Sequence, residues 1–142
     1  VMLYNSWAKW LPYKGFYVEI GTNDPIKDNG VFALEELLGW DGICVEANPQ
    51  YHDQIRKVRK CELIPTCMYD QAANVTFFMD EHCGGLDAVV SDGVRSKGTK
   101  VELTCSTLGA EIRKRNITHI DLLFLDIEGA EAAVVSTLDF DS

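Results

Sequence analysis

Hydrophobic positions in this chain gather into short continuous runs that end on carboxylates, and the runs are separated by stretches with helical spacing. The segment Gly15-Phe16-Tyr17-Val18-Glu19-Ile20-Gly21-Thr22-Asn23-Asp24 passes from an apolar run into a glycine and a polar turn, which predicts a buried strand feeding a ligand loop. Gly42-Ile43-Cys44-Val45-Glu46 and Asp121-Leu122-Leu123-Phe124-Leu125-Asp126 have the same character. Three such strands side by side aim acids at one edge of a sheet. Between the first two, residues 31–38 space apolar and acidic side chains helically, and Gly39 is placed to stop the helix. Asn48 is placed to cap, and Pro49 to open, a second helix running to about Lys60.

Farther along, residues 63–64 predict a third strand, 75–79 a fourth, and 101–104 a fifth beyond the glycine-rich, irregular segment 83–98. A helix over about 106–115 leads to 120–126, whose nearly unbroken apolar character suits a central parallel strand covered on both faces. A last helix follows from about Ala130. At the other end, Tyr4, Trp7, Trp10 and Tyr13 recur at three-residue spacing, an aromatic helix over 1–14 that Pro12 ends and that packs on the sheet. Strands alternating with helices make an α/β, Rossmann-like doubly wound sheet, and such sheets bind ligands beyond the carboxyl ends of their strands. Glu19, Glu46 and Asp126 fall there.

At 142 residues, 46% hydrophobic, the chain has one domain's length and enough apolar material for a core. Its formal charge of −9 works against nucleic-acid binding, which needs a concentrated basic surface. The basic runs Arg56-Lys57-Val58-Arg59-Lys60 and Arg113-Lys114-Arg115 sit where helices end, and complement helix dipoles. Five cysteines (Cys44, Cys61, Cys67, Cys83 and Cys105) are odd in number and show no C-x-x-C pairing, so reduced, mostly buried thiols in a cytoplasmic chain are the expectation. Asn74-Val75-Thr76 and Asn116-Ile117-Thr118 match the glycan-acceptor pattern, which is common by chance and matters only in a secreted protein. No run approaches the length of a membrane span, and no metal-ligand cluster is visible.

Glu46 ends the second strand at roughly the distance from Gly21 at which nucleotide-binding α/β folds set an acid on a ribose, and a carboxylate accepts two hydroxyl protons at once. Gly21 lets the chain turn sharply, while Asn23 and Asp24 tolerate turn conformations. A nicotinamide dinucleotide asks for G-x-G-x-x-G, and here a single glycine is followed by Thr22-Asn23-Asp24-Pro25. A loop lined with acids suits instead a ligand without phosphate and with a positive centre, such as S-adenosylmethionine.

Three motifs carry a family resemblance: Glu19-Ile20-Gly21-Thr22-Asn23-Asp24; Leu38-Gly39-Trp40-Asp41-Gly42-Ile43-Cys44-Val45-Glu46-Ala47-Asn48-Pro49; and Asp126-Ile127-Glu128-Gly129-Ala130-Glu131. In order and approximate spacing they resemble the FkbM-type S-adenosylmethionine-dependent methyltransferases. The resemblance implies that Glu19, Gly21, Thr22 and Asn23 form the loop at the cofactor's methionine side. It implies that Glu46 holds the ribose hydroxyls, with Ala47 and Asn48 beside sugar and adenine, and that Cys67 and Met68 flank the adenine. Asp126, then Glu128, would face methyl donor and acceptor as the candidate base. The implied reaction is O-methylation of a hydroxyl on a sugar or small metabolite.

Two departures from that pattern stand out. Pro25 follows Asn23-Asp24 where the family continues with glycine, fixing φ and removing a donor. A methyltransferase sheet also continues past the strand ending at Asp126, so the domain is expected to be truncated there, leaving 121–126 as an open apolar edge that pairs with a second copy. The alternatives to an active enzyme are a catalytically inactive binding module of the same fold and, less well matched, a nicotinamide-dependent oxidoreductase.

Overall fold

The structure, a computed structural model, describes residue 10 and residues 13–79, 84–85, 99–127 and 129–139. The aromatic helix expected over 1–14 lies almost wholly outside the described residues, as do Cys83, His82 and Glu128. Elements follow in the order β1 (Phe16–Ile20), α1 (Phe32–Leu38), β2 (Asp41–Val45), α2 (Pro49–Val58), β3 (Glu62–Ile64), β4 (Ala73–Met79), β5 (Gly84–Gly85), β6 (Thr99–Cys105), α3 (Leu108–Lys114), β7 (Leu122–Leu125) and α4 (Glu131–Val135). They form an α/β, Rossmann-like arrangement in two compact units, one holding β1, α1, β2, α2, β3 and β7 and the other β4, β5, β6, α3 and α4.

The first unit is built on a parallel sheet in the order β3-β2-β1-β7. In β1 and β2, four of the five residues are buried, as continuous apolar runs require when both faces are covered. Tyr17 and Cys44 join Val31, Leu34, Trp40 and Ile55 from the helical layer in one core cluster. Register pairs Ile20 with both Val45 and Leu125, so β1, β2 and β7 end level at their carboxyl edge. Gly42 is demanded by close approach: a Cβ there would lie 2.5 Å from the Tyr17 carbonyl oxygen and 2.6 Å from its ring. Gly39 ends α1 in the left-handed conformation, φ 66°, as expected from its place after the helical run. Asn48 caps α2, its side chain accepting the Gln50 N–H at 3.0 Å with Pro49 in the first turn.

Two expectations need correction. The strands expected over 75–79 and 101–104 exist, but as β4 and β6 they pair antiparallel in a sheet of order β5-β4-β6. The strand before Asp126, β7, is half-buried and pairs with β1 on one side and with no other strand among the described residues, in agreement with the open edge expected for 121–126.

The second correction concerns four of the five cysteines, which are not reduced. Cys44 is bonded to Cys61, and Cys67 to Cys105. Their partners lie 17 and 38 residues apart in sequence, with Cα atoms 5.8 and 4.5 Å apart. Neighbouring strands bring Cys44 and Cys61 together, since β2 and β3 pair directly. The pairing is tertiary, which is why spacing along the chain did not reveal it.

Candidate functional site

At the carboxyl ends of β1 and β2 two loops are tied to each other. Gly21, at φ 84°, turns the chain so that its own N–H and that of Thr22 both reach the Val45 carbonyl, at 2.9 and 3.2 Å. The Thr22 hydroxyl also donates to Val45 O, at 3.4 Å. Asn23 takes the left-handed conformation, φ 52°, and its N–H donates to Glu46 Oε2 at 2.7 Å. The other carboxylate oxygen, Oε1, accepts the Asn48 N–H at 2.6 Å. Glu46, almost fully buried, is thus a clamp between the loop after β1 and the loop after β2. Burial pushes its carboxyl above the ordinary range, and the N–H groups of Asn48 and Asn23 and the neighbouring His52 pull the other way. The Ala47 N–H acts on the same carboxylate, and since a carboxylate offers about four lone-pair sites, these backbone bonds still leave it acceptor capacity. Ala47, half-buried, and Asn48, buried, complete this rim.

Glu19 is not on the rim. It shares the Tyr17 face of β1 by the two-residue period of a strand, and is 1% exposed. There it meets Arg59 Nη1 at 3.0 Å, and the Thr22 and Asn29 side chains beside it favour its charged form. Burial pushes the Glu19 carboxyl up to about 7, against the opposing charge of Arg59. The Arg59 side chain has no exposed surface. Its Nε lies 3.0 Å from Glu35 Oε2, its Nη2 donates to the Tyr17 hydroxyl at 3.1 Å and its Nη1 to the Pro25 carbonyl at 3.4 Å. The Tyr17 hydroxyl donates to Glu35 in turn. Burial alone would lower the Arg59 pKa, but the charges of Glu19 and Glu35 outweigh it and raise it.

The proline at 25 is accommodated in a turn. Asp24 Oδ1 accepts the N–H groups of Ile26 and Lys27, at 2.9 and 2.8 Å, and these bonds hold its carboxyl below the ordinary range. Asn29 then closes the loop. Its Nδ2 donates to Thr22 O at 3.3 Å, while its Oδ1 accepts from Val31 and Phe32 N–H at 3.0 and 2.8 Å, capping the start of α1.

The remaining predicted residues lie in the second unit. Cys67 is buried in its disulfide with Cys105, so it presents no thiol. Met68 is 1% exposed and bridges Ser106. Asp126 follows β7 directly and is exposed. Behind it, the Glu131 carboxylate accepts the N–H groups of Ile127 and Gly129, at 3.2 and 2.8 Å, fixing the turn. His119 pairs with Asp121 at 3.0 Å before β7, the end of the strand away from the rim.

Residues not foreseen include Arg59, Glu35, Asn29 and His52. Arg59 sits in a basic run that reads as a solvated helix end, and Arg56 and Lys57 do lie in the last turn of α2 as that reading has it. Glu35 carried a usable signal: it falls on the stripe of Val31, Leu34 and Leu38, and it is buried while Leu37 is 61% exposed. His52 places Nε2 2.9 Å from the Glu46 carbonyl, to which it donates, and so braces the rim from α2.

Among the described residues no group of three or more His, Cys, Asp or Glu could hold a metal ion, and no helix is long and apolar enough to cross a membrane. Compared with known proteins, the chain matches the methyltransferase FkbM domain over residues 19–142. No curated protein and no solved structure matches it.

Proposed function

Because the chain belongs to the methyltransferase FkbM domain family, we propose that this methyltransferase domain uses S-adenosylmethionine to methylate a hydroxyl on a sugar or small metabolite. The observation that carries this reading is Glu46, a buried carboxylate held by backbone N–H groups on both oxygens and retaining acceptor capacity. That arrangement fits the vicinal hydroxyls of a ribose. The loop from Gly21 to Asp24 supplies a close backbone, one acid in Asp24 and no G-x-G-x-x-G phosphate cradle, which fits a cationic, phosphate-free cofactor. When bound, S-adenosylmethionine supplies an electrophilic methyl group.

The chain's residues then divide the work. Glu46, with Ala47 and Asn48, holds the sugar and its base, and Gly21, Thr22 and Asn23 hold the methionine side. Glu19 acts through Arg59, Thr22 and Asn29 by setting the loop's shape. Cys67 and Met68 are the proposed adenine neighbours. Asp126, with Glu128 as the second candidate, accepts the proton of the acceptor hydroxyl. Methyl transfer is an in-line displacement helped mainly by alignment, so positioning accounts for most of the rate and the base for about 10²–10⁴-fold.

Calorimetric titration tests the proposal. The intact protein is expected to bind S-adenosylmethionine, Glu46→Ala to lose at least about tenfold in affinity, and Asp126→Asn to bind normally but turn over slowly. No binding by the intact protein refutes it. Binding with no methyl transferred to any sugar or small-molecule hydroxyl would support the inactive binding module instead. Pairing of two copies through the 121–126 edge belongs to the same proposal, and a monomer by sedimentation at high concentration would remove it.

A further inference from the structure

Two glycan-acceptor triplets and the oxidised state of two cysteine pairs are not called for by the proposed transfer. The cytoplasmic expectation rested on reduced thiols, and the disulfides remove that ground. Cys44, Cys67 and Cys105 are at most 2% exposed, so both bonds are part of the folded interior, and disulfides of this kind form and persist in oxidising compartments. An acceptor triplet carries meaning in the same compartments. We propose that this chain is made in an oxidising secretory lumen and carries an N-linked glycan on Asn116, with Asn74 as a second acceptor.

Asn116 ends α3 in a left-handed turn, φ 55°, its N–H donating to the Arg113 carbonyl and that of Ile117 to Ile112, both at 3.1 Å. That conformation by itself accounts for asparagine at 116, since asparagine tolerates it well. It asks nothing of residue 118. Asn116 and Thr118 are both exposed, so the two side chains an oligosaccharyl transferase must read face solvent on a connecting loop. Asn74 is also exposed. Its bond from the Thr104 hydroxyl, 2.8 Å, uses Oδ1 and leaves Nδ2, the atom that carries the sugar.

The chemistry balances. Each disulfide forms as a pair of thiols surrenders its protons and an electron pair to a disulfide oxidant, which becomes its dithiol. Glycan attachment joins Asn116 Nδ2 to the anomeric carbon of a lipid-pyrophosphate-linked oligosaccharide. The bond from that carbon to phosphate oxygen breaks, and the amide proton leaves with the lipid pyrophosphate.

The test uses the protein recovered from its own source, alkylated before and after reduction and mapped by mass spectrometry with and without a glycan-releasing amidase. Cys44, Cys61, Cys67 and Cys105 are expected to alkylate only after reduction, and Asn116 to appear as aspartate after the amidase. In a secreting eukaryotic host, Thr118→Ala, which keeps the left-handed asparagine, should abolish the glycan at that site, and Thr118→Ser should retain it. Four cysteines that alkylate without reduction, or an unmodified Asn116 in the native protein, overturns the proposal.

Discussion

Replacing Arg59 with methionine removes the one cation at the centre of a buried network and keeps most of the apolar stem. Glu19 and Glu35, 1% and 0% exposed, are left facing each other's side of the core without the guanidinium that lies 3.0 Å from each. Breaking a buried pair in this way costs about 3–5 kcal/mol, a large share of the 5–15 kcal/mol that typically holds a domain. The pH dependence separates this cause from lost packing. Glu19 already titrates near 7 when folded against an ordinary 4.5, so the folded state binds more protons than the unfolded state between those values. Its contribution is therefore present in full below about pH 4.5 and lost as pH rises through 7, by up to about 3 kcal/mol. Without Arg59 burial is unopposed and the Glu19 pKa climbs further, so the deficit of the variant should grow from pH 5 to pH 8. Urea unfolding at several pH values measures it, with equal m-values showing that the same surface is exposed. Arg59→Lys, which keeps the charge but loses the fork, should fall between the two. A variant within about 0.5 kcal/mol of the parent, or a deficit that does not change with pH, would refute the reasoning and return Arg59 to the surface of its helix.

Other substitutions probe the frame of the site. Gly42→Ala drives a Cβ against the Tyr17 backbone and ring and should cost about 1–3 kcal/mol; an unchanged urea midpoint would contradict the close approach. Asn48→Ala removes the cap of α2 for about 1 kcal/mol while sparing the backbone N–H that binds Glu46, so stability should fall more than cofactor affinity. Reduction of both disulfides should lower stability by about 2–4 kcal/mol for each bond, read as a drop in melting temperature with reductant, and a melt insensitive to reductant would refute the pairing.

Much of this molecule is written in local pattern. Apolar runs at 16–20 and 41–45 become buried parallel strands because a strand covered on both faces has no polar side to show. Asn48-Pro49 and Gly39 mark helix ends because capping and left-handed turns are satisfied within a few residues. The three motifs that carry the family resemblance are equally local, and the match over residues 19–142 agrees with them. Glu46 was legible as a rim acid for the same reason, since it is the residue that leaves a buried strand.

What the tertiary structure decided depends on partners far apart in sequence. Arg59 reads as one of several cations closing a helix, and only the fold places Glu19, Glu35 and Tyr17 around it, 40, 24 and 42 residues away. Glu19 reads as a rim carboxylate, and the two-residue period of β1 turns it inward instead. The four bonded cysteines carry no spacing signal because each finds its partner 17 or 38 residues away in sequence. Local sequence determined the elements, their ends and the acid that leaves β2. Long-range packing decided which charges are buried together and which thiols are oxidised, because the free energy of a buried charge or a disulfide depends on what the rest of the chain brings to it.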